Sequence, residues 1–246
     1  MTLLEICVDT AAGLRAAHKG GADRIELCSA LELGGMTPTA GLMALAAEMG
    51  VTARVMIRPR AGDFVFTGDD LDMMRADIAA VRALGLEGVV LGANRPDGRL
   101  DLTMLEALVE ESQGMKKTLH RAFDLVPDIA DAVEQAVALG FDTILTSGRA
   151  TSAPAGLDDL ALAQRIAAGR ITIMAGAGIN AGNVGSILAA TPLGAIHGSC
   201  SAPIEGDSAP ATRLGFVSPG RRRTDGASVV ALKTSISQAK AAHASL

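Results

Sequence analysis

Four times along this chain the same joint returns: the end of a helical stretch, a glycine, a short polar step and an apolar run. It reads AAHKGGADRIELC at 16–28, VRALGLEGVVLGA at 81–93, AVALGFDTILTSG at 136–148 and AATPLGAIHGS at 189–199. Gly20 or Gly21, Gly85 and Gly140 suit the left-handed position that ends a helix. RITIMAG at 170–176, after Gly169, reads as a fifth strand, and LLEIC at 3–7, ARVMIRPR at 53–60 and KKTLHRAF at 116–123 bring the strand candidates to eight. Helical patterns separate them at 11–19, 41–49, 69–84, 102–112, 129–139, 156–168 and 181–190, and a last helix is expected over 227–244. Eight strand–helix units in 246 residues predict a single-domain α/β fold, a (βα)8 TIM-like barrel over 1–246. An open doubly wound sheet would use the same alternation. Both put chemistry at the carboxyl ends of the strands.

Composition narrows the function classes. Hydrophobic residues make up 49% of the chain, yet Trp and Tyr are absent and Phe numbers 5, so the core must be aliphatic. A net charge of -5 without a basic patch argues against nucleic acid as a partner. No run approaches the ~18 apolar residues of a membrane span, and MTLLEICVDT has no basic region ahead of an apolar stretch, so a cytoplasmic protein that does not engage the membrane is expected. Cysteines at 7, 28 and 200 do not form a disulfide framework and read as reduced thiols. Association into a homo-oligomer stays open.

Polar residues gather where strands should end. On alternating strands, Glu5 and Cys7 share one face of the first, and Glu26 and Cys28 one face of the second. The two thiols are expected to meet at the mouth with the glutamates a layer below. Two soft thiolates suit Cu(I) better than tetrahedral zinc, with His120 or Met56 as supplements; two cysteines buried as small hydrophobes would give the same pattern. Glu5 and Glu26 facing Arg58 would make a satisfied ionic network or a catalytic one, with His120 as general acid or base and Asp124 beside it. Ser147 and Gly148 after the sixth strand, Gly176 and Gly178 after the seventh, and His197, Gly198 and Ser199 at the eighth are candidates, with Arg60, for holding a small anionic ligand, although glycines also serve plain turns. Gly176, Gly178 and Gly182 do not spell the dinucleotide fingerprint, so no nucleotide cofactor is expected. Residues 201–226, with arginines at 221–223, read as a long loop before the last helix, the place for a lid or a solvated charge run.

With those residues in place, the chain resembles the CutC copper homeostasis family almost end to end, through LEICVDT, GGADRIELCS, GGMTPTAG, VMIRPRAGDF, LHRAFD, TILTSG, IMAGAGI and TDGASVVALK. It departs from that pattern at Phe66, Leu119, Gly198 and Cys200. The resemblance implies a TIM-like barrel, a cytoplasmic location and a role in copper handling, with Cu(I) held by the cysteines matched by Cys7 and Cys28. The alternative from the residues is an enzyme acting on a small phosphorylated metabolite with His120 as general acid or base.

Overall fold

The structure, a computed structural model, describes residues 2–204, 206, 209–217 and 220–244. Strands and helices alternate as β1 (Leu3–Val8), α1 (Ala11–Lys19), β2 (Arg24–Leu27), α2 (Ala40–Glu48), β3 (Ala53–Met56), α3 (Gly68–Ala83), β4 (Gly88–Leu91), α4 (Leu102–Glu111), β5 (Lys116–Leu119), α5 (Ile129–Ala138), β6 (Thr143–Thr146), α6 (Leu157–Ala167), β7 (Thr172–Ala175), α7 (Val184–Ala190) and β8 (Ala195–Gly198). All eight strands pair in parallel in sequence order, and β8 closes on β1 through Leu3–Ala195 and Glu5–His197 neighbours. That closure excludes the open sheet.

The helices start where side chains can serve their free N–H groups. Thr10 accepts from the Gly13 amide ahead of α1, and Asp101 from the Met104 amide ahead of α4. Thr67 and Asp70 form a reciprocal capping box at α3. Leu4, Ile6 and Val8 alternate with Glu5 and Cys7 along β1 and join the aliphatic core between barrel and helices. The alternate residues point inside, where the packing is unusually polar. Arg54 Nη1 donates to Thr118 Oγ1 at 2.7 Å and Thr143 Oγ1 at 3.1 Å, and its Nε reaches Glu87 at 3.1 Å, filling the barrel toward the amino ends of β4 and β6.

Residues 201–226 depart from the expected loop. β9 (Ser201–Pro203) pairs antiparallel with β10 (Arg222–Thr224), with α8 (Ala209–Arg213) between them, and α9 (Gly226–Ala244) follows. Arg222 is spent on this small sheet, its Nε on Ser201 Oγ at 2.8 Å and its Nη2 on the Ser201 carbonyl. Residues 205, 207, 208, 218 and 219, which complete the expected loop, lie outside the described residues. No helix among the described residues is long and apolar enough to cross a membrane.

Candidate metal centre and mouth cavity

The register of β1 against its two neighbours assembles the site. Glu5 sits level with Arg24 on β2 and with His197 on β8, while Cys7 sits level with Glu26. The fully buried Glu5 carboxylate therefore takes a hydrogen bond from Arg24 Nε on one side and meets His197 Nδ1 at 2.9 Å on the other. Burial alone would push the Glu5 carboxyl up, but the His197 hydrogen bond and the Arg24 and His197 charges outweigh it and hold the group at about 2. Burial would likewise pull His197 down, yet Glu26, Cys7 and the bond to Glu5 raise its imidazole well above the ordinary histidine range. The protonated ring donates through Nδ1 to Glu5, and its Nε2 faces Glu26 Oε2 at 3.7 Å.

Burial works against ionisation of both Glu26 and Cys28. Burial raises the Glu26 carboxyl, and the charge of Glu5 adds to it. Burial, then the neighbouring Glu26 and Cys7, push the Cys28 thiol well up, and its Sγ donates to Glu26 Oε2 at 3.5 Å. Glu26 Oε1 is buried without a hydrogen-bond partner among the described residues. Cys7 Sγ contacts the Gly198 carbonyl oxygen at 3.7 Å.

These positions correct the layering expected from alternation alone. Cys7 and Cys28 do pack in one small cluster with Met56 and Val90, but the register puts Glu26, not Cys28, beside Cys7. One ligand atom each from Cys7, Glu26 and His197 lies within 4.8 Å of the others, and Cys28 falls outside this group. Arg58 is not the glutamates' partner. Arg24 holds that place, a residue passed over in the sequence although it shares the parity of Glu26 and Cys28 and so faces the same way.

Across the mouth, the ends of β3 and β5 supply a different chemistry. Arg58, 4% exposed, donates to the carbonyls of Leu33, Gly35 and Gly62 at 2.8–2.9 Å. His120, 3% exposed, has no hydrogen bond to a glutamate among the described residues; its Nδ1 accepts from the Ala122 amide at 3.1 Å. Burial and then the Arg58 charge depress its imidazole to about 3, so the ring is neutral and carries its proton on Nε2. The Phe64 ring lies between the two, 4.8 Å from the His120 ring centroid and 4.9 Å from the Arg58 guanidinium carbon. Phe64 was not anticipated, because a loop aromatic carries no periodic signal.

A cavity of about 350 Å³ joins the two walls, lined by Cys7, Glu26 and His197 on one side and by Arg58, Phe64 and His120 on the other, with Gly178, Gly198 and Ser199 at its rim. The other expected residues lie elsewhere. Asp124 is a bracket between chain segments, accepting from Arg121 Nε, Thr146 Oγ1, the Ser147 amide and hydroxyl, and the Arg149 amide, and it does not line this cavity. Ser147 is consumed by that bracket, and Gly148 is required because a Cβ there would meet the Gly156 carbonyl at 2.1 Å. Arg60 pairs outward with Asp63 and Asp70 and stacks on Phe66. The Gly176 amide bonds to the Thr146 carbonyl at 3.0 Å, so it does not cradle an anion.

A closed parallel barrel of eight strands, with buried ionisable groups at the carboxyl ends of its strands, defines a protein of the TIM-barrel class. Within that class the chain belongs to the CutC family, whose pattern matches residues 2–202. It is 55% identical over 236 residues to a CutC family protein of Agrobacterium fabrum, covering 96% of this chain and 94% of the relative, and 52% identical over 231 residues to one of Sinorhizobium medicae, covering 94% of each. The crystal structure of CutC from Streptococcus agalactiae superposes with a TM-score of 0.77 at 33% identity, over 81% of this chain and 99% of that one. A thiamine phosphate pyrophosphorylase from Pyrococcus furiosus, at 16% identity and a TM-score of 0.58 over 96% of each chain, shares the fold alone.

Proposed function

We propose that this chain is a copper-handling protein that binds Cu(I) at the barrel mouth through Cys7 Sγ and His197 Nε2, each giving up its proton as the metal enters, with Glu26 as the third donor. The observation that carries this reading is the convergence of those three donor groups within 4.8 Å of one another. A metal held at about 2.0–2.3 Å from each ligand separates its donors by roughly 3.3–4 Å, so a small contraction closes the site. Glu5 on His197 Nδ1 is the carboxylate–histidine arrangement that aims the other ring nitrogen at a metal. The sulfurs of Cys28 and Met56 packed against Cys7 favour a soft monovalent ion over zinc, which a Cys, His and carboxylate set would otherwise also accept. The streptococcal relative is provisionally named a copper homeostasis protein, which agrees with this reading.

The test is anaerobic competition of the reduced protein against a Cu(I) chelator. Cys7→Ser is expected to lose roughly 100-fold in affinity and His197→Ala about tenfold or more, on the scale of a lost ligand or its outer support, whereas Cys28→Ser changes it less. Wild-type affinity no higher than that of Cys7→Ser would remove the reading. An enzyme acting on a phosphorylated metabolite is the second reading, and one observation favours it: Nε2 of the buried His120 has no partner among the described residues. That atom supports a proton donor rather than a base.

A further inference from the structure

We propose that the β3–β5 wall of the mouth cavity, made by Arg58, Phe64 and His120, is a binding site for a small organic carboxylate. Among the described residues no carboxylate pairs with Arg58; its two terminal nitrogens are tied to three backbone carbonyls, which leave the positive charge uncompensated. A buried cation in that state is costly unless an anion joins it. Two N–H groups on this wall are also unspent, Arg58 Nε and His120 Nε2, and both side chains are more than nine-tenths buried and line the cavity. The hydrogen bond from Ala122 to Nδ1 fixes the tautomer that makes Nε2 a donor. One fixed charge and two donors match the single charge and two oxygens of a carboxylate; a phosphate would ask for more of both.

The rest of the cavity describes the body of the ligand. Leu31, Met56, Leu145 and Ile179 supply apolar surface beside Phe64, and about 350 Å³ is near the small end of ligand pockets. The partner is therefore a compact carboxylic acid with an apolar body. The barrel order sets this wall across from the Cys7, Glu26 and His197 donors of β1, β2 and β8. The inference rests on the cavity and not on the copper reading, so it stands or falls separately.

Benzoate is the probe, with benzyl alcohol as its uncharged counterpart, on the full chain in a buffer free of other carboxylates. With only 5 phenylalanines and 4 histidines, ring labelling gives a resolvable NMR spectrum. Benzoate is expected to move the Phe64 and His120 ring signals saturably and to raise Tm as ligand linkage requires, while benzyl alcohol does neither. Arg58→Met and His120→Phe each weaken the benzoate affinity at least tenfold; should Arg58→Met fail to fold, His120→Phe carries the test. Cys7→Ser, which removes the metal thiolate, retains benzoate binding even if it loses copper. Equal response to benzoate and benzyl alcohol, no saturable response, or undiminished affinity in the folded variants would overturn the proposal.

Discussion

A carboxylate without solvent exposure, set between a guanidinium and an imidazole, gives both their counter-charge, and Glu5 occupies that position between Arg24 and His197. Neutralising it leaves two cationic groups buried without their shared counter-charge. Glu5→Gln is expected to cost about 3–5 kcal/mol, the range for breaking a buried pair from one side. Urea unfolding should show a lowered midpoint at an unchanged m-value; a midpoint within experimental scatter of wild type would contradict the account. Residue chemistry at this site was legible in part. Glu5, Glu26, Cys7, Cys28, His120 and His197 stand out in the sequence because an aliphatic core has no use for them. Their pairing did not, since a shift between neighbouring strands decides whether Cys7 meets Cys28 or Glu26, and nothing local encodes that shift.

Elements were more legible than their contacts. α1 lies over the expected residues, and α2 to α6 lie within a residue or so of theirs, because glycine stops and polar caps write helix ends into local sequence. β9 and β10 were missed: each is three residues long, and their partnership spans a connection of many residues without alternation. The strands of the barrel also depend on close backbone approach that only a missing side chain permits. A Cβ on Gly88 of β4 would lie 2.1 Å from the Lys116 carbonyl on β5, backbone that the closed barrel holds in place. Gly88→Ala is expected to cost about 3 kcal/mol, the upper part of the overpacking range. Gly50 just after α2 is a control: φ is +63° with open space around the missing Cβ, so Gly50→Ala bears only left-handed strain of about 1 kcal/mol. Chemical denaturation of the two variants side by side checks the order, and equal losses would show that the β4–β5 contact yields more easily than its geometry implies.

For the whole molecule, the buried ionisable groups set how stability follows pH. In the folded chain His120 is held at about 3 against an ordinary 6.5, so below pH 6.5 the unfolded chain takes up a proton that the folded one refuses. Stability is therefore full above 6.5 and falls with pH down to about 3. At about 1.4 kcal/mol per pH unit, that interval is worth on the order of 4 to 5 kcal/mol, of which roughly 2 to 3 is lost by pH 4.5. Glu5, held at about 2 against 4.5, acts in the same sense at lower pH, its contribution lost between 4.5 and 2. His197, raised well above 6.5, acts oppositely: its contribution is complete below 6.5 and lost only as pH rises through its folded value. The barrel should thus begin to weaken in mild acid, before ordinary carboxylates titrate, and the first part of that decline belongs to His120. Urea midpoints measured from pH 7.5 to 4.5 are expected to fall more steeply for wild type than for His120→Asn, in which the amide oxygen still accepts from the Ala122 amide and no imidazole is left to titrate. Parallel curves would mean that His120 takes up its proton in the folded barrel, and with that proton Nδ1 could no longer accept from the Ala122 amide.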